Sequence, residues 1–488
     1  MVKLAKYLKP FAVGIIGCVL LLFGQAMCDL NLPNFMSDIV NVGIQQNGIE
    51  DAAPNAISEN GLRLMESFMT QEEKALVESS YTRYEPQDAS SPLVKEYPLL
   101  VKEAVYVRNS VQEDTLSRLN DIFGVSTWAF IYTMQDLAAQ SGMKISQEEE
   151  FAVSSLDFSK IYEMQPMLDS LPQETLNTAR TKAETVQEST RRQSGAKMTE
   201  NFYRELGLDI SSIQMKYVLK TGGLMLLVAF LGGVATMMVS FLAAKIAAGV
   251  ARALRRDIFN KVESFSNAEF DRFSTASLIT RTTNDVTQIQ GLLTMGIRMI
   301  CYAPIMGIGG IIMALDKSVS MSWIIAVAVV ALIGIVMVIF SIAMPKFKLL
   351  QKLVDKLNLV ARENLNGMTV IRAFGTEDFE KKRFDKANMD VSKTQLFTNR
   401  VMVFLMPAMT FIMNGICLLV VWIGAHQVAN GGIQVGDMMA FMQYSMQIII
   451  AFLMLSIVFI IVPRAAVSAA RIREVLGKEP SVQDPVQP

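Results

Sequence analysis

The sequence predicts an all-α membrane protein with six transmembrane helices, and two observations lead to that fold class. Hydrophobic residues make up 51% of the 488 residues. The charged residues collect in a few blocks, and six long apolar runs remain between them. These runs approach or exceed the ~20 residues that a helix needs to cross a bilayer core. The predicted spans are Phe11–Met27, Thr221–Ala244, Leu292–Leu315, Ser318–Met344, Val401–Asn430 and Met438–Pro463.

The distribution of lysine and arginine predicts the orientation of these spans. Basic residues are concentrated before the first span, between the second and third spans, and between the fourth and fifth. The connection between the fifth and sixth spans, "QVANGGIQVGD", contains none. Because short cytoplasmic segments carry the excess of Lys and Arg, both termini and the two basic connections are expected in the cytoplasm.

The chain is expected to divide into four parts. Residues 1–43 hold the first span, 44–212 form an extracellular insertion, 213–465 carry spans two to six, and 466–488 form a linker. The insertion has the composition of a soluble, mostly helical domain. In "TQEEKALVESSY", Thr70 and Glu73 have the spacing of a helix-starting capping box. "DTLSRLNDIFGVSTWAFIYTMQDLAAQ" and "PQETLNTARTKAETVQESTRRQ" also predict helices.

The insertion shows no catalytic constellation. It is interpreted either as a solvated cap or as a cap that binds a partner or substrate. All four cysteines lie in or at the ends of spans, so no disulfide is expected in the insertion. With so few cysteines and the single histidine His426, no metal site is expected either.

Each basic connection is predicted to be a helical hairpin with a short turned tip. In the first, apolar residues recur every four positions from Ile246 to Val262, and the pattern breaks around 264–274. In the second, Asn366-Gly367 and Gly375 interrupt two charged helical stretches. About 20 helical residues extend ~30 Å, so both tips are expected well away from the membrane.

Three stretches resemble the transmembrane half of a type I, exporter-type ABC transporter. "FSNAEFDRFSTASLITRTTNDVTQIQ" is similar to the family's first intracellular loop, and "ENLNGMTVIRAFGTEDFEKKRFDKAN" to its second. "RAAVSAARIREVLGKEP" resembles the segment that leads to the nucleotide-binding domain. The resemblance covers the chain apart from the insertion. It implies a bacterial multidrug-type half-transporter that lacks its nucleotide-binding domain.

The resemblance also implies that the two tips are coupling helices, which rest in grooves of ATPase domains. Aromatic residues there would fill pockets, and charged neighbours would fix the register. Ala276-Ser277 stands where the family usually has Gly-Glu, so no role is transferred from that glutamate. The tip residues are Asn267, Glu269, Phe270, Asp271 and Arg272 in the first loop, and Arg372, Ala373, Phe374, Gly375, Thr376 and Glu377 in the second.

No phosphate-binding loop of the form G-x-x-x-x-G-K-[S/T] occurs in the sequence. This chain is therefore expected neither to bind nor to hydrolyse ATP, with ATP and Mg²⁺ expected in a missing or partner ATPase domain. The chain is interpreted as a fragment, a truncated gene product, or a permease subunit served by a separate ATPase. The resemblance further implies a second half-transporter and a bacterial plasma membrane location. No nucleic-acid partner is expected.

Candidate substrate contacts come from residues that lipid disfavours and from methionines, whose side chains adapt to different ligands. Methionine stripes are also common in helix packing, and an intramembrane arginine can pair with a helix end or extend to the interface. The candidates are Arg298, Met409, Met413, Asn414, Met442, Gln443, Tyr444, Met446 and Gln447.

The predicted function is export of hydrophobic or amphipathic compounds (drugs, lipids or peptides) by alternating access. The alternative is a membrane sensor or assembly protein with an extracellular ligand-binding domain. A secondary transporter or channel is disfavoured, because Asp29, Asp316 and Asp437 lie only at span ends, away from the midplane.

Overall fold

The computed structural model describes residues 6–88, 91–140 and 158–481, and most of these residues are helical. Within this part of the chain, six helical segments are long and apolar enough to cross a membrane. Each of the six predicted spans falls on one of them, which confirms the predicted fold class. The segments are Lys9–Gln45, Ile210–Glu263, Thr275–Lys317, Ser322–Asn366, Glu377–Ala429 and Val435–Leu476.

The α-helices of the described residues are numbered in chain order. They are α1 (Ala12–Asp38), α2 (Glu59–Glu66), α3 (Gln71–Ser80), α4 (Pro92–Glu96), α5 (Glu113–Gln140), α6 (Phe158–Glu163), α7 (Gln165–Asp169), α8 (Gln173–Glu184), α9 (Glu188–Glu205), α10 (Ile210–Glu263), α11 (Asn267–Arg272), α12 (Thr275–Thr280), α13 (Val286–Lys317), α14 (Ser322–Asn366), α15 (Met368–Phe374), α16 (Glu377–Val403), α17 (Leu405–Ala429) and α18 (Val435–Leu476). Two π-helical turns, Ile39–Gln45 and Arg281–Asp285, extend α1 and precede α13.

The chain forms two compact units, and several long helices contribute to both. The tip unit comprises Met1–Ala26, Ala235–Val421 and Tyr444–Pro488. The insertion unit comprises Met27–Val234 and Trp422–Gln443.

The insertion unit contains a small antiparallel sheet of strands β1 (Ala56–Ser58), β2 (Tyr81–Tyr84) and β3 (Val105–Arg108). The spatial order is β1-β3-β2. This sheet was not predicted from the sequence, because strands of three or four residues are too short to show an alternating pattern. Helices still make up most of the insertion.

Helix predictions in the insertion are largely confirmed. The Thr70 N–H donates to the Glu73 carboxylate at 2.8 Å, and the Glu73 N–H donates to the Thr70 hydroxyl at 3.4 Å, which completes the predicted capping box at the start of α3. Helix α5 also lies where it was predicted. The last predicted stretch is divided, since α8 ends at Glu184 and α9 begins at Glu188.

Helix α5 lies at the centre of the insertion core and packs against α8 and α9. Phe123 and Phe130 of α5 and Phe202 of α9 are fully buried. A Cβ at Gly195 of α9 would lie 2.5 Å from the Ala52 Cβ, so glycine is required for this close approach.

In the tip unit, α13 has a buried face of small residues and contacts α18 at Gly307 and Gly310. Ala303, Gly307, Gly310 and Ala314 recur at three- and four-residue intervals, and all are buried. A Cβ at Gly310 would lie 2.9 Å from Cγ1 of Ile448 in α18. Small residues let two helix backbones approach closely where lipid provides no hydrophobic driving force.

Two of the predicted spans differ from the observed helices. The fourth span begins at Ser322 rather than Ser318, because α13 ends at Lys317 and a turn follows. The fifth predicted span crosses a helix break at Phe404, between α16 and α17. Pro407 follows this break in the first turn of α17, where its missing N–H costs no helical hydrogen bond.

Candidate functional site

The first tip is the short helix α11, which is held by hydrogen bonds to the carboxylate of Glu269. The Ser266 hydroxyl donates to this carboxylate at 2.5 Å and the Ser266 N–H at 3.0 Å. Ser481, which follows α18, donates through its N–H at 3.2 Å and is within 3.4 Å through its hydroxyl. The two serine hydroxyl oxygens are 2.8 Å apart. Glu269 therefore joins the start of α11 to the chain that follows the sixth span.

This arrangement keeps Glu269 ionised. The hydrogen bonds from the Ser266 hydroxyl, which has the largest effect, from the Ser266 N–H and from Ser481 together lower the pKa of Glu269 from its ordinary value of 4.5 to about 2, against an opposing effect of burial. Because the folded-state pKa lies below the unfolded one, this stabilisation is complete above about pH 4.5 and is lost as the pH falls through about 2.

We expect Glu269→Ala to release the chain around Ser481 from α11. Hydrogen bonds to a carboxylate are stronger than neutral ones, so amide exchange at Ser481 and in α11 should rise about tenfold. Glu269→Gln keeps an acceptor without the charge and should give a smaller increase. Hydrogen-exchange mass spectrometry at pH 5 and pH 8, corrected for intrinsic rates, should show equal protection in the unmodified chain. Equal exchange in all three proteins would contradict this role of Glu269.

Three aromatic residues in and beside α11 pack against one another. Phe265 stacks on Phe273 with ring centroids 6.0 Å apart and meets Phe270 edge-on at 6.3 Å. Arg281 places its guanidinium 4.8 Å from the centre of the Phe273 ring and pairs with Glu474 of α18 at 3.0 Å. The first tip is thereby fixed to the C-terminal end of α18.

The second tip, α15, has a different surface. Residues 372–379 are all exposed, and Phe374 leaves 79% of its surface uncovered. Gly375 ends the helix with φ of +64°, a left-handed conformation that favours glycine. Arg383 of α16 pairs with Glu363 of α14, which ties the two arms of the hairpin together near the tip.

The structure thus places the predicted tip residues in two kinds of environment. Asn267 and Arg272 are exposed, Phe270 is 40% exposed, and Glu269 is buried in its hydrogen-bond network. The side chain of Asp271 lies outside the described residues. In the second tip, all six predicted residues are exposed: Arg372, Ala373, Phe374, Gly375, Thr376 and Glu377. Sequence reasoning missed Ser266, Ser481 and Arg281. Ser481 and Arg281 have partners distant in the chain, whereas Ser266 and Glu269 have the three-residue spacing of a capping box, a signal that the sequence does contain.

The candidate substrate contacts are distributed over three helices. Arg298 is half-buried on α13, Met409 is buried on α17, and Tyr444 is fully buried on α18. Asn414 is exposed, whereas Met413, Met442, Gln443, Met446 and Gln447 are half-buried.

An apolar cavity of about 840 Å³ opens elsewhere, along α14 and the junction of α16 with α17. Its lining includes Val338 and Ile342 of α14, with Phe397 and Arg400 of α16. None of the nine candidate substrate contacts lines it. The helix break at Phe404, beside this cavity, could be anticipated only from Pro407.

Six apolar helices and two long helical hairpins with short helical tips define a multi-pass helical membrane protein. Residues 209–452, half of the chain, match the family described as ABC transporter transmembrane region. The chain belongs to this family, which confirms the resemblance to the transmembrane half of an exporter-type ABC transporter.

The chain is also similar to several curated proteins. It is 35% identical over 271 residues to an uncharacterized ABC transporter ATP-binding protein of Mycobacterium tuberculosis, covering 56% of this chain and 47% of that protein. It is 34% identical over 265 residues to an uncharacterized ABC transporter ATP-binding protein of Bacillus subtilis (54% and 46%). It is 26% identical over 263 residues to the ATP-dependent lipid A-core flippase of Pseudomonas fluorescens (53% and 43%). The chain spans about half the length of these relatives.

Proposed function

We propose that this chain is the membrane-spanning half of an ATP-driven exporter and moves hydrophobic or amphipathic compounds by alternating access. ATPase domains would bind the two tips, α11 and α15, and their closure on ATP would be transmitted to the spans through the helical hairpins. ATP and Mg²⁺ would be held by those domains, either in a longer form of this protein or in a partner. A second half-transporter would complete the pathway.

The exposed second tip is the observation that carries this proposal. Helix α14 has 45 residues, and the roughly 20 that follow Met344 extend ~30 Å beyond the predicted span. At their end, Phe374 is exposed beside Arg372 and Glu377. An exposed aromatic side chain with charged neighbours is typical of a docking surface, because it can fill a pocket while the charges fix orientation.

The names of the relatives support ATP as the energy source and an amphipathic compound as the substrate. Two of them are named ATP-binding proteins, and one is named a lipid A-core flippase. An amphipathic substrate also suits spans rich in methionine, with polar side chains at only a few positions.

The proposed location is the bacterial plasma membrane, with the tips and both termini in the cytoplasm. The basic connections that carry the tips support this orientation through the positive-inside rule. The insertion would then lie outside the cell.

The experiment that tests this proposal is co-purification of the detergent-solubilised chain with ATPase proteins of its host. We expect an ABC ATPase, or a full-length half-transporter, to be recovered with the unmodified chain. Phe374→Asp should reduce recovery by at least about tenfold, since a central aromatic contact contributes 2 kcal/mol or more. Quantitative mass spectrometry of the eluate measures the ratio.

Val101→Asp is the matched control, because Val101 is an exposed apolar residue of the insertion and receives the same new charge. It should leave recovery unchanged. Recovery of no ATPase by a folded chain would overturn the proposal and favour the sensor or assembly alternative.

A further inference from the structure

The turn between α17 and α18 is bound to the end of α1 and to the start of α9, all within the insertion unit. The Ser37 hydroxyl of α1 donates to Oδ1 of Asp437 at 2.9 Å. Four residues later, Oδ1 of Asn41 accepts from the Gly436 N–H at 2.7 Å, while its Nδ2 donates to the Ser37 hydroxyl at 3.1 Å. Ser37 and Asn41 are both buried.

The hydrogen bond from Gly436 to Asn41 gives the Gly436 N–H an acceptor that α18 itself cannot provide. Gly436 lies in the first turn of α18, where backbone N–H groups have no intrahelical acceptor. Asn41 supplies the acceptor from a different span. A Cβ at Gly436 would lie 2.5 Å from the Ser37 carbonyl oxygen and 2.6 Å from Asn41 Oδ1, so only glycine permits this approach.

The insertion itself contacts the same turn. The Thr190 hydroxyl of α9 donates to the Gly431 carbonyl at 2.5 Å, and the Ser189 hydroxyl lies 3.4 Å from it. Gly431 has φ of +72°, and a Cβ there would meet the Thr190 hydroxyl at 2.5 Å. Gly431 and Gly436 are thus both placed where another residue would break a contact.

The end of α1 is in turn fixed to the start of α10. Gln214 Nε2 of α10 donates to the Gly43 carbonyl at 2.9 Å, and a Cβ at Gly48 would lie 2.8 Å from the Gln214 Cα. The outer ends of α1 and α10 therefore belong to the same body as the insertion. The ends of α17 and α18 can leave that body only if the contacts at Gly431, Gly436 and Asp437 break.

We propose that these contacts form a latch that holds the insertion-bearing ends of the spans closed. Its residues are Ser37, Asn41, Thr190, Gly431, Gly436 and Asp437. Opening of the pathway at this end would require the latch to break, and the insertion would control that step through Thr190. The consequence for transport rests on the proposed function, whereas the latch itself is a property of this chain.

Spin labels at Ile44→Cys and Asn430→Cys test the latch in the full chain. Both positions are exposed, and the four native cysteines are first replaced by alanine. Electron–electron double resonance in lipid nanodiscs should give one narrow distance distribution. Asn41→Ala combined with Thr190→Val should add a second population at longer distance. Amide exchange at Gly436 should rise about tenfold, since its N–H loses the Asn41 acceptor.

Conservative variants at the same two positions distinguish release of the latch from a general loss of folding. Asn41→Gln keeps an amide that can accept from Gly436 and donate to Ser37 without adding a charge beside Asp437, and Thr190→Ser keeps the hydroxyl, so this pair should retain the narrow distribution. An unchanged distribution in Asn41→Ala with Thr190→Val would overturn the latch, as would equal broadening in the conservative pair. No ATPase takes part, so a failed co-purification and a failed latch are distinguishable.

Discussion

Gly310→Ile is expected to separate the third span from the sixth. The new Cβ would lie 2.9 Å from Cγ1 of Ile448 and 3.8 Å from the Tyr444 carbonyl oxygen, and isoleucine has three further carbons beyond its Cβ. Ile448 is itself fully buried, so its side chain has little room to move. Overpacking a closely packed contact costs about 1–3 kcal/mol, and a branched side chain at a helix crossing should reach the upper end. The measurement is the melting temperature of the detergent-solubilised chain, followed by size-exclusion chromatography after heating.

Gly334→Ile is the matched control for this substitution. Gly334 is also a glycine within a predicted span, and a Cβ there would meet nothing within 4 Å. Both substitutions add the same side chain to a helical glycine, so any general effect on helix formation is shared. A similar loss of thermal stability in both variants would contradict the close approach of α13 to α18.

The spans and hairpins could be predicted from the sequence because their signals are local. An apolar run of sufficient length specifies a span by itself. Gly375 marks the end of α15 because its left-handed conformation is costly for other residues. Thr70 and Glu73 mark the start of α3 through a spacing of three residues.

The contacts that hold the tips and the turn in place could not be predicted in this way. Asn41 and Gly436 are 395 positions apart, and Ser481 lies 212 positions after Glu269. No periodicity relates such residues, and each hydrogen bond depends on how the helices pack. Sequence reasoning assigned Glu269 to the docking surface, whereas its carboxylate accepts hydrogen bonds from Ser266 and Ser481. The contact with Ser481 has no local signal, but Ser266 and Glu269 have the spacing of a capping box, which the sequence does show.

The insertion shows the same division between local and distant signals. The strands β1 and β3 are separated by about 50 residues and pair through backbone groups, which any short sequence provides. The long helix α5 could be recognised from its apolar pattern, but its position between α8 and α9 depends on residues such as Gly195 that permit close approach.

Phe123→Ala is expected to destabilise the insertion by about 3–5 kcal/mol, the usual cost of removing a buried phenylalanine. The Phe123 side chain is fully buried on α5, and its ring lies 6.2 Å from that of Tyr81. Removing it leaves a cavity at the centre of the core, which neighbouring helices can fill only in part. Amide exchange in α5, α8 and α9 of the full chain should rise by more than a hundredfold.

Met167→Ala provides the control, because Met167 is 47% exposed in the same domain and its loss should cost less than about 0.5 kcal/mol. The two variants also test how the insertion acts on the spans. Thr190 lies in the first turn of α9 and contacts Gly431, so loosening α9 in Phe123→Ala should also raise exchange in the turn around Gly431. If exchange rises in α5, α8 and α9 but stays unchanged in that turn, the packing of the insertion does not control the turn around Gly431. The contacts of Ser37 and Asn41 would then hold the turn on their own.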